Sequence, residues 1–441
     1  MGEAANSDDA PAGKGKAGWK RPGVEQTLAL VAAFCTYFCM YAFRKPFAAG
    51  SFDGELAGLS VKTLFVLSQL VGYALSKYAG IFVVAGLAPS KRVTALLSLI
   101  LLSWLLLFFF ALGSPVLGML CLFGNGLCLG MVWGIVVSFL EGRASSELLL
   151  AGLSCSFIVA SGAVKDVARY LMHNHGVTEA WMPFFTGALF VLPLIGSVAL
   201  LSRVRPPSSL DVRLRSERTP MSHAARKKFA LSFRTPLTLL LVCYFFLTAF
   251  RDYRDNYGVE LYAALGHENN PALFTQTELP VALFVLLAMA ALWFVRSNRL
   301  ALLVVHGVMA AGLLLLSLST WLLQAGWIEG ALWMFLLGLG SYLAYVPFGS
   351  VLFDRMVAHT RVAGNAVFGI YLADSLGYTG SLLVQLYDEF FSFGGGRLEF
   401  FVPFCHALGL AGAGCLMLSA ASFVKQATAQ QGTVSTGHAP S

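Results

Sequence analysis

Long apolar runs recur along this sequence and limit its fold before any motif is considered. Val93 to Leu112, Trp181 to Leu201, Val281 to Val295 and Phe401 to Val424 have the length and apolar content of helices crossing roughly 30 Å of hydrocarbon. A chain in lipid must satisfy its own backbone hydrogen bonds, which leaves helices or closed barrels. Barrel strands are alternating segments of about ten residues. These runs are longer and continuously apolar, so helices are selected. Composition agrees: 57% of the 441 residues are hydrophobic and 12% charged, against about 25% charged in soluble proteins. The expected fold class is an all-α membrane protein.

Hydropathy places twelve spans at 24–47, 59–88, 92–112, 115–140, 147–172, 181–202, 236–259, 275–295, 299–322, 327–353, 362–388 and 401–424. The longest hydrophilic connector, 203–235, divides them six and six. The expected organisation is a cytoplasmic tail (1–23), a six-helix bundle (24–202), a cytoplasmic connector (203–235), a second bundle (236–424) and a second cytoplasmic tail (425–441). The N-terminal tail is polar and lacks a signal peptide's apolar core and cleavage site, so span 1 is expected to be retained. Of the Lys and Arg in loops, tails and span ends, only Lys62 and Arg397 fall opposite the termini. That asymmetry predicts a multi-pass protein of an inner or plasma membrane with both termini cytoplasmic. The net charge of +7 follows from topology, and the basic connector reads as a positive-inside loop near anionic lipid, with no nucleic-acid partner expected.

The two halves repeat. Span 1 reads Tyr37-Phe38, then Ala42-Phe43-Arg44; span 7 reads Tyr244-Phe245, then Ala249-Phe250-Arg251, at identical spacing. Arg143 precedes Ala151-Gly152 by the same interval that separates Arg355 from Ala363-Gly364. Six spans per repeat give both halves the same orientation. This predicts two pseudo-symmetric six-helix bundles with a site between them near the midplane.

Once the basic residues of loops, tails and span ends are set aside, seven remain within spans: Arg44, Lys45, Lys77, Lys165, Arg169, Arg251 and Arg254. A charge at the membrane centre costs about 2.5 to 3.5 kcal/mol on insertion scales, so each needs water, a partner or a ligand. The acids counted at similar depth are Asp166, Asp252, Asp255 and Asp374, which leaves about three cations unpaired. Arg251 has Asp252 beside it and Asp255 four residues on, and Asp166 stands three residues before Arg169, so local pairing is expected in spans 7 and 5. Neither Arg44 nor Lys45 has an acid within four residues. The alternative for this pair is that span 1 ends early and both snorkel to the outer interface.

Glycine runs such as Gly124 to Gly130 and Gly369 to Gly380 read as close helix packing rather than a phosphate loop. His173 and His175 fall in a predicted outer loop as solvated side chains. The eight cysteines show no metal or disulfide spacing and read as small core residues. No cofactor, metal or enzymatic constellation is expected.

The twelve spans, central connector and duplicated halves resemble the major facilitator superfamily over essentially the whole chain. Within it, Tyr41-Ala42-Phe43-Arg44-Lys45-Pro46-Phe47 resembles the Arg-Lys-x-Phe end of helix 1 in organophosphate:phosphate antiporters, transporters of glycerol 3-phosphate and hexose phosphates. Tyr73-Ala74-Leu75-Ser76-Lys77 is similar to their Tyr-Gly-x-Ser-Lys segment, and Phe250-Arg251 matches their helix 7 arginine. Three departures are plain. The loop from Gly86 to Arg92 has no aspartate, Ser154-Cys155-Ser156 replaces a helix 5 histidine, and span 7 adds Asp252, Arg254 and Asp255.

The resemblance implies that Arg44 and Arg251 grip a phosphate, with Lys45 and Lys77 adding positive field. A guanidinium donates two hydrogen bonds at once to such a group. Tyr37, Tyr41 and Tyr244 join the substrate-binding candidates. Lys165, Asp166, Arg169, Asp252, Arg254, Asp255 and Asp374 are candidate gating or counter-ion residues. The expected function is secondary active transport of a small anionic organic solute by alternating access, with a phosphate ester exchanged for phosphate as the leading case. The alternatives are a non-transporting solute receptor and a major facilitator transporter of another substrate class. The expected partners are that solute and membrane lipid, and the protein is expected to be monomeric.

Overall fold

The computed structural model describes residues 23–436 except 85, 141–142, 144–145, 206–230, 268–271, 293, 296, 361–365 and 392–395. Most of the connector and the repeat at Ala363-Gly364 therefore lie outside the described residues. The described helices group into twelve spans. Nine helices or joined helices are long and apolar enough to cross a membrane by length and composition.

Span 1 is Val24–Tyr41, six residues shorter at its far end than hydropathy predicts. A turn through Ala42 to Lys45 leads into the 3-10 segment Pro46–Ala49, where proline sits at a position that has no need of its missing N–H. A two-residue hairpin follows, pairing Glu55 with Ser60 and Leu56 with Leu59, the one strand pair in an otherwise helical description. Its turn runs through Ala57 and Gly58 at φ +56° and +79°, both left-handed as a type I′ turn requires. Span 2 is Val61–Val83, with the Ser60 hydroxyl accepting from the Thr63 N–H as its cap.

Span 3 is Arg92–Leu112, and span 4 is Pro115–Leu129 continued after a break at Gly130 by Val132–Leu140. Span 5 is Ser146–His175 and span 6 Met182–Leu201. His173 and His175 thus close a helix instead of lying in a loop, although both remain exposed. In the second half, span 7 is Arg234–Asn256, followed by the short Gly258–Ala264 helix. Spans 8, 9 and 10 are Leu273–Leu292, Asn298–Gln324 and Gly330–Ser350, the last extended by Leu352–Thr360. Span 11 is Ala366–Phe391. Span 12 begins with Arg397–Ala407, takes a π turn at Leu408–Gly412 and continues as Ala413–Thr436. Cys35 is exposed and Cys415 half-buried, so the cysteines are not uniformly core residues.

In the first half, span 1 packs on spans 5 and 6, and span 2 on span 4; in the second, span 7 packs on spans 11 and 12, and span 9 on span 10. The halves meet chiefly where span 2 touches span 11 and where span 5 touches span 8. The repeat that relates span 2 to 8 and span 5 to 11 exchanges these two seams. Large apolar side chains such as Phe82 and Leu192 point outward, as residues solvated by lipid do.

Glycine lets two backbones nearly touch inside the first half. A Cβ on Gly126 would stand 2.2 Å from the Gln69 carbonyl oxygen, and one on Gly72 would stand 2.0 Å from that of Phe123. Neither backbone can give way without parting spans 2 and 4. Gly126→Ala is therefore expected to destabilise the protein by roughly 1 to 3 kcal/mol, the usual overpacking range. Gly196→Ala, at a position with nothing within 4 Å, should leave thermal unfolding in detergent unchanged. Equal midpoints for the two variants would contradict the close-packing assignment.

Candidate functional site

The early end of span 1 creates the site's first polar layer. Phe43 and Arg44 lie where helical hydrogen bonding stops, so their carbonyls need other donors. Asn125 Nδ2 donates to the Phe43 carbonyl at 2.9 Å, and Gln69 Nε2 to that of Arg44 at 2.9 Å. Gln69 also donates to Asn125 Oδ1. These amides from spans 2 and 4 allow an irregular segment to sit at membrane depth. They also correct the snorkelling alternative. Span 1 does end early, yet Arg44 and Lys45 are each only 3% exposed because the chain folds back into the protein.

The two basic residues then part company. Lys45 Nζ reaches across to span 7, 2.5 Å from Asp255 Oδ2 and 2.8 Å from Asn256 Oδ1. Arg44 has no carboxylate in ion-pair range among the described residues. Its guanidinium lies 3.8 Å from the centre of the Tyr73 ring and 5.7 Å from that of Tyr41, and its Nε is buried without a hydrogen-bond acceptor. Ring faces offer a cation part of what a carboxylate would, on the order of 2 kcal/mol when desolvated.

Span 7 carries the matching arginine. Arg251 Nη2 pairs with Asp252 Oδ1 at 2.6 Å, and the Ser381 hydroxyl holds the other Asp252 oxygen at 2.7 Å. The Arg251 guanidinium lies 4.4 Å from the Tyr345 ring centre, and its Nε also lacks an acceptor. Asp255 does not neutralise Arg251 as the helical spacing suggested. Its carboxylate points into the first half, where Lys45 holds one oxygen and Lys165 the other at 2.8 Å, with the Ser161 hydroxyl also donating. Arg254 takes a partner the sequence count omitted, Glu278 of span 8 at 2.7 Å.

Asp166 lies near enough to Arg169 to act on it electrostatically, as the spacing suggested, but its hydrogen bonds go elsewhere. Its carboxylate accepts from the backbone N–H groups of Thr275 at 2.6 Å and Phe274 at 3.3 Å, capping span 8 from the opposite half. The Arg169 guanidinium lies 5.9 Å from the Phe274 ring centre. On the same side, opposite the termini, Lys62 pairs with Glu260. Glu389 accepts from Ser60 N and Thr63 Oγ1 while Arg397 binds both Asp388 and Glu389. This end of the interface is closed by charge.

Nearer the termini, Lys77 pairs with Asp374 at 3.1 Å, and Tyr244 donates to the second Asp374 oxygen at 2.7 Å. Between these layers is a cavity of about 40 Å³ reached by Tyr37, Tyr41 and Lys77 from the first half and by Tyr244, Arg251 and Asp374 from the second. Six of the fourteen predicted site residues thus share one space. Arg44 and Lys45 stand outside its lining, Arg44 behind Tyr73 and Lys45 in the Asp255 layer. Sequence reasoning missed Tyr345 and Tyr378, which also line it, and the buried amides Gln69 and Asn125. An amide inside an apolar run was the available signal for the latter.

Comparison with known proteins fixes the family. The family described as "Family of unknown function (DUF5690)" matches residues 46–426. The chain belongs to this family. The DUF5690 match begins immediately after Lys45, so both helix 1 cations precede it. No curated protein matches the chain in sequence. Solved structures do match in fold. A D-xylose-proton symporter has a TM-score of 0.58 at 12% identity, over 89% of this chain and 96% of that one. The human organic anion transporter MFSD10 (TETRAN) has 0.54 at 12%, over 91% and 100%. The nucleoside transporter NupG, solved as a point mutant, has 0.53 at 12%, over 91% and 99%. The fold is that of the major facilitator transporters, an all-α membrane architecture of two six-helix bundles.

The Asp166 cap provides a direct test of the closed seam. Asp166→Ala removes the acceptor for two N–H groups of span 8, and a lost cap costs on the order of 1 kcal/mol. Hydrogen exchange over residues 273–277 is expected to accelerate several-fold in the variant, with exchange in span 9 unchanged. Protection equal to the parent protein's would mean that the two halves are not joined at this point.

Proposed function

We propose that the protein is a secondary active transporter that moves a small anionic organic solute between its two halves by alternating access. The leading case is a phosphate ester exchanged for phosphate. The observation that carries this reading is the pair of buried arginines at one interface, Arg251 at the cavity and Arg44 one ring behind it with no carboxylate partner among the described residues. An anion in the cavity supplies the missing negative charge. In a low-dielectric site such a charge is worth more than it would be in water.

Arg251 is the direct anion contact in this reading and Lys77 the second cation. Arg44 supplies field through the Tyr73 ring. Lys45 acts with Lys165 and Asp255 as a gate rather than as a ligand. With the termini in the cytoplasm, as the distribution of Lys and Arg favours, the charged closure faces the outside. Solute binding that draws the halves together, followed by their parting at the other end, gives the exchange.

Uptake of labelled phosphate into proteoliposomes preloaded with glycerol 3-phosphate tests the reading. Arg251→Ala and Arg44→Ala should each lower exchange by tenfold or more. Arg251→Lys should recover part of it, because charge returns without the bidentate fork. Unchanged exchange in both alanine variants would remove the arginine site. Solute binding with no counterflow would assign the chain to receptors.

A further inference from the structure

The anion reading uses the cations of the cavity but leaves its wall unexplained, and the wall is mostly aromatic. Tyr37, Trp133 and Phe157 face it from the first half, and Tyr244, Tyr345 and Tyr378 from the second. The rings form a continuous shell. Tyr37 meets Trp133 edge-on at 4.9 Å, Phe157 lies 5.9 Å from Trp133 and 6.0 Å from Tyr345, and Tyr345 stacks on Tyr244 at 5.2 Å. Across the interface Tyr73 and Tyr378 are 4.8 Å apart.

Few other polar groups remain. Besides Lys77, Arg251 and the tyrosine hydroxyls, the described lining offers the Trp133 indole N–H, Ser154 and Asp374. Ser154 donates to the Leu150 carbonyl of its own helix, and both Asp374 oxygens are engaged by Lys77 and Tyr244. The amides near the interface lie outside this lining and are already bonded: Asn125 and Gln69 to the span 1 break, Asn256 and Gln385 to each other. A polyhydroxylated solute entering here would have only the tyrosine hydroxyls and the Trp133 N–H to share among all its hydroxyls, and any left unpaired carry the desolvation penalty. A flat ring needs no such partners and gains from offset and edge-to-face contacts with Tyr and Trp.

We infer that the solute is a single-ring aromatic anion. Its ring contacts Trp133 and Phe157 on one side and Tyr345 on the other, and its anionic group meets Arg251. The space present, about 40 Å³, is well below the roughly 150 Å³ that holds benzene, so the halves must part to admit even one ring, and a fused ring system would demand a wider opening. This inference rests on the anion-site reading and specifies the organic part of the solute.

Isothermal titration of the purified full chain with phenyl phosphate, benzoate, glycerol 3-phosphate and glucose 6-phosphate tests it. Phenyl phosphate is expected to bind at least tenfold more tightly than glycerol 3-phosphate, a difference of about 1.4 kcal/mol, and glucose 6-phosphate no better than glycerol 3-phosphate. Benzoate binding more tightly than phenyl phosphate would identify a carboxylate head group and still support the ring. Trp133→Ala should erase the preference, and Trp133→Phe, which keeps a ring and guards against loss of folding, should retain it. If either non-aromatic phosphate binds as tightly as phenyl phosphate, the aromatic assignment falls and the anion site stands. If no probe binds, both fall together.

Discussion

Charge buried between two halves of a membrane protein is the constraint on which the rest of this structure depends. Lys45 and Lys165 meet Asp255, Lys77 meets Asp374, and Lys62 meets Glu260, each pair joining the first half to the second. Asp166 adds a carboxylate on the N-terminus of span 8. A buried ion pair contributes little net stability compared with apolar packing, but separating its partners in a dry interior is expensive. The halves are therefore free to part only where water or a solute replaces the lost partner. That condition is what the proposed alternating access needs.

The break in span 1 is a consequence of the same constraint. A continuous helix through Phe47 would carry Arg44 and Lys45 onward along the helix axis. Ending it at Tyr41 turns both side chains back into the interface, at the cost of free carbonyls that Gln69 and Asn125 then satisfy. Span 7 keeps its helix to Asn256 and places Arg251 beside its own Asp252. The two repeats thus hold equivalent arginines in unlike surroundings. Arg251 is locally neutralised at the cavity, and Arg44 is cushioned by tyrosine rings behind it.

The likeness to symporter, anion and nucleoside carriers at 12% identity concerns architecture, and one architecture serves many solutes. The side chains inside this chain's cavity are one arginine, one lysine, one aspartate and a shell of aromatic rings. The proposed selectivity is a statement about those residues and not about the fold.

The helical membrane class, the duplicated halves and the presence of cations that lipid does not tolerate were all legible in the sequence. Hydropathy and repeat spacing are local properties that survive without knowledge of contacts. Pairing was not legible in the same way. Local spacing assigned Asp255 to Arg251 and Asp166 to Arg169, whereas Asp255 crosses to Lys45 and Lys165, and Asp166, though near enough to act on Arg169, also caps a helix of the other half. Glu278 lay within a predicted span and went uncounted, although it holds Arg254. Helical periodicity limits which residues share a face, but the partner that relieves a buried charge is whichever group the packed halves bring within about 3 Å. The sequence alone therefore determined that charges had to be buried. The tertiary structure decided which ones neutralise each other and, among the described residues, left Arg44 without a carboxylate, because a buried charge is balanced through space and not along the chain.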